Sequence, residues 1–122
     1  MNNLLNFIKI LSDENRLRII LLLNKMELCV CEMCEILQLS QPMVSRHLSK
    51  LRDSGIVKDE RISQWVFYYL NVEDKAMKEI IEVIENNSHH YTVLINDAAA
   101  LQQMVSDNKL CNINTRRVHH KK

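Results

Sequence analysis

The sequence predicts a mainly α-helical domain with one small β-hairpin, arranged as a winged helix-turn-helix. Three observations predict it. Apolar residues recur at helical spacing from Leu4 to Leu51. The period changes to alternation directly after Gly55. A chain of 122 residues with a single glycine and a single proline has the composition of one compact, helix-rich unit. Residues 1–106 are expected to form this domain, and residues 107–122, which end in RRVHHKK and show no period, a disordered tail.

Leu4, Leu5, Ile8 and Leu11 give a first helix, and Phe7 and Ile10 widen its apolar stripe until it needs two partners. Ser12 or Asp13 can cap a second, DENRLRIILLLNK, whose opening acids and closing Lys25 suit the helix dipole. This is the expected central core helix. CEMCEILQL is a short third helix, and Ser40 caps a fourth, QPMVSRHLSKLRDS, where Pro42 in the first turn loses no needed hydrogen bond. Val44, Leu48 and Leu51 mark its buried face, and Gly55 stands where a left-handed C-cap is expected. Two helices joined by a tight turn make a helix-turn-helix.

IVKDERI and QWVFYYL, flanking Ser63, read as a β-hairpin, and a hairpin directly after a recognition helix is a wing. Its turn lacks the usual glycine. From Asp74 to Ser106 a seven-residue repeat places Met77, Ile84, Tyr91, Ala98 and Val105 in one series and Ile80, Asn87, Leu94 and Leu101 in the other. A continuous helix here would be about 48 Å long, and a second copy of the chain is its natural cover. Asn87, with Asn86 and Ser88, marks either a register-setting polar contact or a helix break, the break being preferred.

Composition excludes several classes. A formal charge of +1 names no partner. Four irregularly spaced cysteines are no secreted disulfide framework. The opening MNNLLNFIKIL has no export leader, and the longest apolar run, Trp65 to Leu70, is far short of a membrane span. The expectation is a cytoplasmic protein that is not an enzyme, whose thiols stay reduced.

Opposite the buried face of the fourth helix lie Pro42, Arg46, Ser49 and Asp53, with Gln41, Ser45 and Lys50 at the flanks. Arg46 can donate to guanine, Gln41 to adenine and Ser45 to a base edge or phosphate. In the wing, Lys58, Arg61, Ser63 and Gln64 can grip phosphates or the minor groove. From Gln41 to Gln64 there are five Lys or Arg against three acids, a local charge of +2. The alternative is an ordinary solvated face, but the flanking helix and hairpin favour DNA. His47, at the edge of the buried face, reads as a packed histidine.

Cys29, Cys31 and Cys34 fall within six residues, at the start of the third helix. On an ideal helix Cys31 and Cys34 are about 60° apart, while a helical Cys29 would lie on the far side. Cys29 must therefore sit in the preceding turn, or the first turn must unwind, for all three to reach one ion. Thiols at a helix N-terminus also tend towards lowered pKa values, which suits a soft ion. Core filling, a C-x-x-C redox pair and a zinc site compete with this reading. Acids between the thiols, no preceding strand and no nearby fourth ligand count against them in turn.

LSDENRLRIILLL, ELCVCEMC, LSQPMVSRHLSKLRDSGIV and WVFYYL, in that order, resemble the ArsR/SmtB family of winged-helix repressors, and C-V-C-x-x-C resembles its arsenic-sensing branch. The resemblance runs from Ile8 to Leu70. It implies a homodimer held by its first and last helices that represses an arsenic-resistance operon by binding double-stranded operator DNA. Arsenite or antimonite would be the inducer ligand, bound by Cys29, Cys31 and Cys34. Gln41, Ser45 and Arg46 fall where family members contact the operator. Alternatives are a repressor sensing cadmium, lead, zinc or thiol oxidation, and a thiol metal-buffering protein that binds no DNA. Glu14 stands where many members have proline and Tyr69 where many have arginine. The zinc-sensing D-x-H motif is absent, Asp74 being followed by Ala76, and the adjacent His89 and His90 cannot share a ligand face. Cys111 reads as an unpaired surface cysteine in preference to an additional ligand from the tail.

Overall fold

The structure, a computed structural model, describes residues 1–111. Its elements run α1 (Asn2–Leu11), α2 (Glu14–Lys25), α3 (Val30–Leu37), α4 (Gln41–Asp53), β1 (Val57–Ile62), β2 (Trp65–Leu70), α5 (Lys75–Asn86), a 3-10 turn (Ser88–His90) and α6 (Thr92–Ser106). The predicted winged helix-turn-helix is present. α2 is the core helix: Ile19, Ile20, Leu22 and Leu23 are shut off from solvent, and it packs against α1, α4, α6 and β2. Among the described residues no helix is long and apolar enough to cross a membrane.

Local signals explain where these helices start. The Asp13 carboxylate accepts the Arg16 N–H at 3.0 Å, the Ser40 hydroxyl oxygen accepts the Met43 N–H at 3.3 Å, and Asp74 accepts that of Met77 at 3.0 Å. α4 ends in a Schellman turn. Gly55 (φ +83°) donates its N–H to Arg52 C=O, and Ile56 donates to Leu51 C=O. A Cβ at Gly55 would meet no atom within 4 Å, so Gly55→Ala is a test of backbone strain alone. It should cost about 1 to 2 kcal/mol, read as a lower urea midpoint with an unchanged slope.

The long heptad stretch is broken at Asn87, as preferred. The Asn87 side-chain amide donates to Val83 C=O at 2.8 Å and the Ser88 hydroxyl to Glu85 C=O at 2.8 Å. These side chains take carbonyls at the end of α5, and the chain turns before α6 begins at Thr92. The two arms leave Leu5, Ile8, Val83, Tyr91, Val93, Ile95 and Val105 exposed on α1, on α5 and α6, and between the last two.

β1 and β2 pair antiparallel in the register Val57↔Leu70 to Ile62↔Trp65, which leaves Ser63 and Gln64 as a two-residue loop. Ser63 alone of the two has positive φ, +60°. That is the type II′ pattern, with serine where glycine is usual. A single-residue bridge extends the wing: Leu28 N–H donates to Tyr68 C=O at 3.1 Å, and Tyr68 N–H returns to Leu28 C=O at 2.8 Å. One paired residue leaves no alternation to read in a sequence.

His47 is packed, as expected, with 8% of its surface exposed and no hydrogen-bond partner for Nδ1. Burial holds its pKa below 6.5 against the attraction of Asp13. The unfolded imidazole therefore takes its proton first as pH falls, so stability is complete above about pH 6.5 and declines below it. Urea midpoints at pH 7.5 and 5.5 should differ more in the parent than in His47→Leu.

Candidate metalloid and DNA site

Leu28, bridged to Tyr68 of β2, delivers Cys29 to the start of α3. Cys29 is the N-cap, with φ −94° and ψ 169°. It therefore lies outside the helix, one of the two arrangements that the angular argument allowed. Its own N–H donates to Glu32 Oε1 at 2.9 Å, and the Glu32 N–H reaches back to the thiol. This is a capping box with sulphur in place of the usual hydroxyl.

Glu32 is the residue that sequence reasoning missed. It is 1% exposed, and its second oxygen accepts the N–H of Cys111. The three-residue spacing of Cys29 and Glu32 was the available signal.

Three thiols converge. Cys29 Sγ and Cys31 Sγ are 3.3 Å apart, Cys31 Sγ and Cys111 Sγ 3.4 Å, and all three lie within 4.8 Å of one another. Cys111, read as a lone surface cysteine, thus stands against Cys31. Among the described residues Cys34 joins no such trio; it packs against the hydrophobic core. Cys29 already touches Cys31, a contact that the helical angles did not foresee.

Cys111 is brought there by the end of α6. Asn108 (φ +60°) donates to Val105 C=O and Lys109 to Met104 C=O, a second Schellman turn with asparagine at the left-handed position. Leu110 then buries its side chain in the core. Residues 107–111 of the expected tail are thus placed, while 112–122 lie outside the described residues.

At Cys29 and Cys34 the expected lowering of thiol pKa is reversed. Burial, followed by the Glu32 charge, pushes Cys29 well above the ordinary thiol range. Burial and the contact with Cys31 push Cys111 up to about 11, and burial with the nearby Cys31 raises Cys34. Desolvation outweighs the helix N-terminus. A ligand must therefore displace thiol protons.

α4 presents Gln41, Arg46, Ser49 and Lys50 to solvent, with Ser45 half-buried among them, and the wing exposes Lys58, Arg61 and Gln64. Among the described residues Arg46, Lys50, Lys58 and Arg61 make no ion pair, which leaves them open to phosphate. Arg52 instead pairs with Asp59 at 2.8 Å and ties the end of α4 to β1. On the far side, the Arg18 guanidinium binds both oxygens of Asp97 at 2.8 and 2.9 Å and also donates to Leu37 C=O at 3.1 Å. One side chain joins α2, α6 and the end of α3.

Residues 13–59 match the family model described as bacterial regulatory protein, arsR family. The arsenical resistance operon repressor of Escherichia coli K12 is 53% identical over 64 residues, 52% of this chain and 55% of that protein. The cadmium resistance transcriptional regulatory protein CadC of Listeria innocua is 42% identical over 65 residues, 52% of this chain and 55% of that protein. HlyU from Vibrio cholerae N16961 superposes with a TM-score of 0.63 at 34% identity, over 70% of this chain and 90% of that one. Matches to the curated arsenic-resistance regulators span 55 to 62% of those proteins' length.

Proposed function

The chain belongs to the arsR family of bacterial regulatory proteins, and from that membership we propose that it is a homodimeric, cytoplasmic repressor released from operator DNA by trivalent arsenic or antimony. One observation carries the reading: a thiol cluster sits at the first turn of the helix-turn-helix and is hydrogen-bonded into the wing through Leu28. Ligand and DNA then act on one structural unit. Cys29 and Cys31 supply two ligands, and the third is either Cys34, which completes the motif, or Cys111, which the fold delivers. Gln41, Ser45, Arg46, Ser49 and Lys50 read the major groove, and Lys58, Arg61 and Gln64 hold the flanking backbone.

The exposed apolar residues of α1, α5 and α6 support a dimer through the first and last helices. Two recognition helices about 34 Å apart would meet successive major grooves of a near-palindrome. Residues 1–106, with 107–111 packed onto them, would form this domain.

The test starts from duplexes selected by the protein out of a random pool. Binding to them should weaken steeply with salt, and arsenite should release the complex near stoichiometry. Arg46→Ala should weaken binding about 5- to 150-fold, the equivalent of losing a bidentate base contact of about 1 to 3 kcal/mol. Retention that ignores both salt and Arg46 would instead indicate a thiol buffer that binds no DNA. The likeness to CadC favours cadmium as the second reading. It predicts release by cadmium or lead at concentrations where arsenite does nothing.

A further inference from the structure

We propose that the third ligand is Cys111 and that Cys34 stays outside the site, so that one trivalent arsenic or antimony is held by Cys29, Cys31 and Cys111. This rests on the reading of the chain as a thiol-sensing regulator, and it assigns the ligand set and the ligand class.

The distances carry the first step. Sulphurs about 2.3 Å from a shared ion stand about 3.3 Å apart for bond angles near 90° and about 3.8 Å apart for tetrahedral ones. Two of the three sulphur pairs, Cys29–Cys31 at 3.3 Å and Cys31–Cys111 at 3.4 Å, already stand at the spacing of narrow bond angles, and the third pair lies within 4.8 Å.

The second step is that the trio is built. One buried carboxylate, Glu32, accepts the backbone N–H of both Cys29 and Cys111, residues 82 positions apart in the numbering, and so sets two of the three thiols. The turn at Asn108 and the buried Leu110 fix the approach of the third chain segment. Cys34 is held by different demands. Its side chain packs on the core, and its carbonyl accepts the N–H groups of Gln38 and Leu39, which make the turn into α4. Recruiting it would disturb that turn.

The third step is charge. Arsenous acid reacts without redox: each thiol gives its proton to one hydroxyl, which leaves as water, so three As–S bonds form as three As–O bonds break. The product carries no net charge. A divalent cation on three thiolates would leave one negative charge beside the buried Glu32 carboxylate, an unfavourable pair where water is scarce. The site is therefore suited to trivalent metalloids over cadmium or lead.

X-ray absorption at the arsenic edge, on the full chain with one equivalent of arsenite, tests the assignment. The parent and Cys34→Ala should show three sulphur neighbours, and Cys111→Ser two sulphurs and one oxygen. Cys111→Ala serves as a second variant, and operator binding without arsenite shows that each variant is folded. Release of DNA should need at least about tenfold more arsenite in the Cys111 variants, as for a weakened metal site. If Cys34→Ala loses a sulphur while Cys111→Ser keeps three, Cys34 is the ligand; the proposal is overturned and the three-thiol repressor stands. Three sulphurs in both variants would also overturn it. A parent that shows no arsenic–sulphur bond would sink the functional reading and this assignment together.

Discussion

Cys31→Ser is expected to bind operator DNA as the parent does and to need about a hundredfold more arsenite for release, equivalent to about 2.7 kcal/mol of lost binding. Cys31 is the middle thiol, in contact with both Cys29 and Cys111, and serves in either candidate ligand set. It is exposed, so a serine there disturbs little packing. The change should fall on the ligand and spare the fold. Fluorescence anisotropy of a labelled operator duplex, titrated with arsenite, gives both quantities in one experiment. Release at the parent's arsenite concentration would rule out thiol ligation at the start of α3.

Glu32→Ala should destabilise the fold by about 2 to 4 kcal/mol, because two backbone N–H groups lose their acceptor at a largely buried place. The loss is readable as a lower urea midpoint. Glu32→Gln separates shape from charge. Its amide keeps one acceptor oxygen but turns a donor towards an N–H, so about half the loss is expected. In both variants Cys111 is no longer tethered to Cys29, and arsenite affinity should fall about 10- to 100-fold, as when a group that orients a metal ligand is removed. A Glu32→Ala protein with parental stability would mean that the carboxylate organises nothing.

What could be read from the sequence was local. Asp13, Ser40 and Gly55 mark helix ends through bonds within a few residues, and the switch to alternation after Gly55 marks the wing. Asn87 and Ser88 broke the heptad helix by bonding carbonyls one turn back. The site was only half legible. Cys29 and Cys31 were found, but their contact was not, because helical angles do not apply to an extended N-cap. Cys111 was weighed as an additional ligand but set second, because its approach to Cys31 depends on a turn after α6 and on Leu110 finding the core, some 80 residues away. The thiol pKa direction was missed for a similar reason. Burial is a property of the whole fold, and here it exceeds the local effect of a helix end.

The Arg18 bond to Leu37 C=O makes α3 a lever with a fixed fulcrum. Its far end is clamped to α2 and α6, while its near end carries Cys29. Eight residues span about 12 Å, so drawing the near end by about 1 Å tilts the helix about 5°. Passed through the tight Gln38 turn to the thirteen residues of α4, that tilt would sweep the tip of α4 by about 1.6 Å. In a repressor of the proposed kind, a displacement of that size, half a hydrogen bond's length, would break register with a row of base edges while leaving every helix intact.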